Sequence, residues 1–310
     1  MKLEGIHHIT AITADAPRNV DFYARVLGLR MVKKTVNQDD PTVYHLFYAD
    51  EQGSPGADLT FFEYPGMARG RAGAGMVHRI AHRVADSAAI GFWEQRLSDE
   101  GVEVTRDGDR LLFADPEGLE HELLVNPVAD APLTARSLEV PPEYALQGFD
   151  HVRASTSAVQ RSVPLLRDVL GFQPAGDGAW EARGDSRGGR IVYDDATAPG
   201  MSGGGTVHHV AWAAPYDELE AWQQRVQASG AARPTPIIDR FYFRSVYFRE
   251  PSGVLFELAS IGPGFTSDEP AETLGEGLSL PPRFEPLRDA LADTLTPLPD
   301  TRRWRPAPVA

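Results

Sequence analysis

Residues 5–36 read GIHHITAITADAPRNVDFYARVLGLRMVKKTV, and the pattern inside them recurs three more times along the 310-residue chain. GIHHITAIT (5–13) has counterparts in MVHRIAHRV (76–84), GFDHVRAST (148–156) and TVHHVAWAA (206–214). Each reads as a strand, and aligning them sets His7, His78, Asp150 and His208 in register. A turn and a helix-like stretch follow each strand. In the first, Val20, Tyr23, Ala24 and Leu27 fall at i, i+3, i+4 and i+7, one apolar helical face. All four stretches stop at a glycine: Gly28, Gly101, Gly171 and Gly230. Two or three short β-rich runs come next, such as LRMVKKTV, YHLFYAD and ADLTFFEY in the first unit. The expected fold is α+β: four βαβββ modules forming two open, barrel-like, curved mixed sheets with the helices outside.

The modules divide the chain into a first half, 1–125, and a second, 148–261. Residues 126–147, rich in Pro, Ala and charge, read as the linker. Residues 262–310 read as a C-terminal extension with a short helix between proline-marked loops, expected to wrap the body or cover the site. Composition narrows the function. Lys plus Arg number 30 against 44 Asp plus Glu, a net charge of −14, which argues against nucleic acid and anionic membrane as partners. The chain has no cysteine, so disulfides, thiolate metal sites and cysteine nucleophiles are excluded. The start MKLEGIHHIT lacks the apolar core of a signal peptide, and no run approaches a membrane span. A cytoplasmic location is the expectation, and a homo-oligomer is compatible with it.

With no thiols, metal chemistry falls to histidine and carboxylate. Two first strands carry histidine pairs at the same place, His7–His8 and His208–His209. Strand alternation turns one member of each pair inward and the other outward or to the rim. The second module has Arg79 where the first and fourth have His8 and His209, and a cation cannot ligate a metal. Glu257 lies in an apolar strand, PSGVLFELAS, where a lone carboxylate is costly to bury unless paired or metal-bound. Glu122 stands at the same offset in the second module. Without an inward histidine partner it is expected to be structural. Two imidazoles and one carboxylate with open positions form the triad suited to non-haem Fe(II) and O₂, and zinc or manganese also fits such ligands.

The stretch GIHHITAITADAPRNVDFYARVLGLRMVKKTVNQDDPTVYHLFYADEQGSPG, with GTVHHVAW, DRFYFRSVYFREPSGVLFELAS and GFTSDEPAETLGEGLSLPP, resembles the hydroquinone-type ring-cleaving dioxygenases of the vicinal oxygen chelate superfamily. The likeness runs over residues 2–282 and is weakest in the third module. It implies an Fe(II)-dependent enzyme that opens an aromatic diol with O₂, with Mn(II) as the other candidate metal. It also implies that His8, His209 and Glu257 hold the metal and that the first and fourth modules pair around it. His7, Thr10, His208, Arg240 and Tyr247 match the positions that family places around the substrate. Ordinary extradiol enzymes draw ligands from the third and fourth modules, which makes His151 the rival of His8.

Other readings use the same scaffold. A glyoxalase-type isomerase or lyase needs a second carboxylate, and Glu63 in TFFEYP is the candidate, otherwise a rim residue. A non-catalytic protein that binds an aromatic compound needs no metal. Ala211 and Ala213 follow His209 and leave room for a planar ring, with Phe241 or Phe243 shaping the pocket. Gly184–Gly188 fits the G-x-S-x-G pattern, but no helix follows, so it reads as a loop. The glycine-rich runs 70–75 and 203–205 read as turns.

Overall fold

Sixteen strands arise from the four modules in a computed structural model that describes residues 1–196 and 198–307. The first module supplies β1 (Ile6–Thr13), β2 (Arg30–Val36), β3 (Tyr44–Ala49) and β4 (Asp58–Glu63). The second supplies β5 (Met76–Val84), β6 (Val104–Asp107), β7 (Arg110–Ala114) and β8 (Glu120–Val125). The third supplies β9 (Phe149–Thr156), β10 (Gln173–Pro174), β11 (Ala179–Arg183) and β12 (Gly188–Asp195). The fourth supplies β13 (Thr206–Ala214), β14 (Ile238–Asp239), β15 (Arg244–Arg249) and β16 (Leu255–Ser260). They assemble into two eight-stranded mixed sheets, one curled into a half-barrel. The expected fold class is met.

The order within the sheets is not the order along the chain. One sheet runs β14-β15-β16-β13-β1-β4-β3-β2 and the other β10-β11-β12-β9-β5-β8-β7-β6. The first and fourth modules therefore share a sheet, joined by antiparallel β1 and β13, and the second and third share the other through β5 and β9. Each change of sheet requires a crossing segment, and the two glycine runs supply them. They are not simple turns: Arg71 N donates to Met201 O at 2.8 Å and Met201 N to Arg71 O at 2.7 Å. A Cβ on Gly70 would lie 2.6 Å from the Gly203 nitrogen, so only glycine lets the two backbones touch.

The helix-like stretches take two forms. Modules two and four carry regular helices, Ser87–Asp99 and Leu219–Ser229. Module one begins with Ala16–Val20 and widens into a π-turn, closed by Leu27 N donating to Phe22 O at 2.9 Å. Module three, interrupted by Pro164, has the same wide turn, with Leu170 N donating to Leu165 O. The predicted apolar face survives, since Val20, Tyr23, Ala24 and Leu27 are all buried. The stopping glycines at 28, 101, 171 and 230 all take positive φ.

Residues 126–147 lie packed on the body, with Ala135, Val140, Ala145 and Leu146 buried and Trp93 donating to the Tyr144 carbonyl. The C-terminal extension packs along the body. Phe265 and Leu274 join Val32, Phe47, Tyr242 and Phe243 in a small apolar cluster on the half-barrel, and Trp304 enters the main core. The predicted short helix is Arg288–Thr294. Lys33 on β2, fully buried, fastens the extension by donating to the Phe265 carbonyl, Asp268 at 2.7 Å and Glu269. Among the described residues no helix is long and apolar enough to cross a membrane.

Candidate metal centre and aromatic cleft

Strand pairing brings three distant side chains to one point. β13 runs parallel to β16 with Ala211 opposite Glu257, and antiparallel to β1 with His209 opposite Thr10. His209 Nε2 lies 2.9 Å from Glu257 Oε2, His8 Nε2 lies 3.2 Å from the same oxygen, and the two Nε2 atoms are 3.3 Å apart. All three residues are buried, and among the described residues they are the one group whose ligand atoms converge as a metal site requires. Neither oxygen of Glu257 has an aligned hydrogen-bond partner, although the residue has no solvent exposure. A buried carboxylate facing two imidazole nitrogens without aligned bonds is set up for a cation at the shared focus, and these donors fit a divalent transition metal.

The protonation states agree with that use. Burial alone would raise the Glu257 carboxyl, but the electrostatic pull of the two imidazoles it faces, His8 first, holds it well below the usual carboxylate range. Burial lowers His209, so its imidazole stays neutral, the form that ligates. His7 Nδ1 lies 2.9 Å from His8 Nδ1, and His208 Nδ1 lies 2.8 Å from His209 Nδ1. When Nε2 of His8 or His209 faces a cation, its Nδ1 keeps the proton and donates it to the neighbouring histidine, which fixes the ring. His7 is pushed down to about 3, chiefly by burial, and can accept that proton bond.

Simple strand alternation misplaces His7. It is buried beside His8 instead of pointing away, because the register of β1 on β13 shifts between Ile6 and Ile9. His208 does point away: it is exposed and lines a separate cleft with Gly75, Arg249 and Val254.

The cleft that His8 and His209 reach is also lined by Thr10, Thr35, His45, Phe47, Phe62, Arg240, Tyr242, Phe243, Tyr247 and residues 37–39. Tyr247 sits directly opposite Glu257 across β15 and β16, its ring 5.5 Å from His209. Burial and the Glu257 charge raise its phenol, so it is an O–H donor at neutral pH. Arg240 lies over the Tyr247 ring at 5.6 Å and grips Asp39 through two bonds of 2.9 Å. Phe243 packs 5.0 Å from His8 and shapes the cleft, whereas Phe241 does not line it. Ala211 and Ala213 leave no room for a ring: both are fully buried, and Ala211 lies in the cluster with Tyr242, Phe243 and Phe265.

The rival residues lie elsewhere. His151 is on β9 in the other sheet, where Asp150 accepts from its Nδ1 at 2.6 Å. Glu63 is buried, not at a rim, and accepts from Thr296 of the extension at 2.9 Å. It is outside the metal cluster. The G-x-S-x-G match is a loop tied to Glu4 through Ser186.

The other sheet holds a degenerate copy of the centre. Ala81 opposes Glu122 there as Ala211 opposes Glu257 here, which sets Arg79 at the place of His209. The expectation that Glu122 lacks a histidine is corrected, since His151 Nε2 lies 4.0 Å away. The guanidiniums of Arg79, at 3.7 Å, and Arg110, at 3.0 Å, supply the positive charge. Sequence reading set His151 in register with His8 but did not bring it to Glu122, because the two meet only through the pairing of β5 with β9. It also passed over His45, whose only signal was a histidine on an otherwise apolar strand.

A sequence profile of the Glyoxalase/Bleomycin resistance protein/Dioxygenase superfamily matches residues 5–123 and 148–258. The chain is 41% identical over 304 residues to "Putative ring-cleaving dioxygenase MhqO" of Bacillus subtilis (strain 168), covering 96% of this chain and 97% of that one. It is 32% identical over 311 residues to "Chlorohydroquinone/hydroquinone 1,2-dioxygenase" of Sphingobium indicum, covering 95% and 96%. Among solved structures, a "putative dioxygenase" from Bacillus subtilis subsp. subtilis str. 168 superposes with a TM-score of 0.87 at 38% identity, covering 96% and 98%. Glyoxalase I from Zea mays shares the fold at a TM-score of 0.59 and 15% identity, covering 83% and 92%.

Proposed function

The chain belongs to the Glyoxalase/Bleomycin resistance protein/Dioxygenase superfamily, and we propose that within it this protein is a ring-cleaving dioxygenase that opens an aromatic diol of the hydroquinone type with O₂. The observation that carries the reading is the buried, orphaned Glu257 carboxylate facing the Nε2 atoms of His8 and His209. Its relatives' names, one of them a chlorohydroquinone/hydroquinone 1,2-dioxygenase, support the substrate class.

His8, His209 and Glu257 would hold Fe(II), which when bound supplies open coordination positions for a phenolate and O₂ and the redox chemistry to join them. Mn(II) fits the same donors. The residues of the chain do the rest. His7 and His208 orient the ligand rings through their Nδ1 contacts. Phe47, Phe62 and Phe243 offer apolar faces to a planar ring and keep water from it. Tyr247 would offer its O–H as a donor to the phenolate of the bound diol, and Arg240, beside Asp39 and over the Tyr247 ring, would stabilise negative charge on it. Thr10, beside His8 on the same face, supplies a second hydroxyl.

The test is O₂ uptake by protein loaded anaerobically with Fe(II) or Mn(II) and then mixed with hydroquinones and catechols. Uptake of one O₂ per ring opened is expected, and it should vanish in Glu257→Ala together with metal retention. No uptake with any diol, by protein shown to hold its metal, would overturn the proposal.

A further inference from the structure

A ring anchored at the three-ligand centre through one hydroxyl carries any para hydroxyl away from the centre, among the other groups that line the cleft. A hydroxyl there must find a partner or lose its hydration unrewarded. The polar groups that line the cleft beyond the centre are mostly committed. Asp39 is paired with Arg240, and the Asn37 amide oxygen accepts from the Asp39 backbone. Gln38 donates to the Arg240 carbonyl and accepts from Arg283, and Tyr242 donates to Asp268. Thr35 lines the cleft with its side chain, but its Oγ1 is buried.

His45 is different. It lies on β3 between the rings of Phe47 and Phe62, with centroids at 4.0 and 4.3 Å, so its plane is held. It lines the cleft and is only partly buried. Its Nε2 meets Thr60 Oγ1 at 2.9 Å, and that hydroxyl donates to Thr10 Oγ1 at 2.8 Å. Having given its one proton to Thr10, Thr60 must accept from His45, so the proton sits on Nε2 and Nδ1 carries a lone pair. Among the described residues no side chain or backbone group is bonded to that Nδ1.

We propose that His45 is a specificity-determining residue whose Nδ1 accepts the hydrogen bond of the distal hydroxyl of a para-diol, so that the cleft selects 1,4-diols over rings with one hydroxyl. Burial keeps its imidazole neutral, as an acceptor must be. The assignment rests on the ring-cleaving reading above for the identity of the anchored hydroxyl. The Thr10–Thr60 pair gains a role through it, as the hydroxyl chain that sets the tautomer.

The experiment is anaerobic calorimetric titration of the Fe(II)-loaded protein with hydroquinone and with phenol, alongside O₂ uptake. The parent chain should bind hydroquinone at least about 10-fold more tightly than phenol. His45→Phe should erase that preference while metal content stays unchanged, and His45→Asn, which restores an acceptor, should recover part of it. A parent chain without the preference, or a His45→Phe protein that keeps it, would overturn the assignment. Selective binding lost in His45→Phe but no O₂ uptake by the parent chain would sink the ring-cleavage reading and leave His45 standing. Uptake with an unaltered preference in the variant would do the reverse.

Discussion

Replacing Lys33 with methionine isolates what holds the C-terminal extension against β2. The ammonium of Lys33 has no solvent exposure and donates to the Phe265 carbonyl, Asp268 and Glu269, with the Tyr242 ring 4.8 Å away. Methionine keeps the apolar stem and roughly the same volume, so the packing loss is small. Breaking a fully buried ion pair costs about 3–5 kcal/mol. Here the acceptors retain some water, with 19% and 13% of the Asp268 and Glu269 side chains exposed, which brings the expected loss to about 2–3 kcal/mol. The loss should be local, because every acceptor lies in the extension. Hydrogen exchange of residues 265–281 should accelerate by about 30- to 150-fold, while β1 and β13 keep their protection. Hydroquinone should bind more weakly, since Phe265 supports the Phe47 and Tyr242 walls. Unchanged exchange across 265–281 would refute the reasoning and assign the hold to the Phe265 and Leu274 contacts alone.

Three further outcomes follow from the geometry. Arg79→His should add one equivalent of bound divalent metal per chain in elemental analysis, because it gives Glu122 and His151 the imidazole that the half-barrel has in His209; an unchanged stoichiometry would count against the equivalence. His82 is held near 3 by burial, against about 6.5 in the unfolded chain, so below that pH the unfolded state binds a proton the folded state refuses. Its stabilising effect is therefore complete above 6.5 and fades on acidification, by about 2 kcal/mol at pH 5; His82→Phe should shrink the difference in urea stability between pH 7.5 and pH 5 by that amount. Gly70→Ala should lower stability by about 1–3 kcal/mol, because the added methyl meets the Gly203 nitrogen at 2.6 Å, and a melting temperature equal to the parent's would argue that the crossing segments yield.

The four-fold pattern was legible because strand and helix periods, with a glycine closing each helix, are local properties. Glu257 was legible for a related reason: a carboxylate on an apolar strand is an anomaly that needs no structure to notice. The bulge that turns His7 inward was not, since register between β1 and β13 depends on residues about 200 positions apart. Nor was His45, whose partners Thr60 and Thr10 lie on two other strands. The glycine runs were misread for the same reason, as their meaning lies in each other. The burial of Ala211 was equally hidden, because Tyr242, Phe243 and Phe265 fill the space that the small side chain left.

The crossing of the two glycine segments constrains how this protein comes into being. His8 and His209 stand 201 positions apart, and the half-barrel that joins them needs strands from both ends of the chain. A ribosome has released most of the protein before any part of the centre can close, so a nascent chain carries no assembled metal site. Division at residues 126–147 would likewise yield two fragments, each with half of both sheets and neither with a whole one. Such fragments should regain the centre only by recombining, which makes this protein a candidate for reconstitution from two inert pieces.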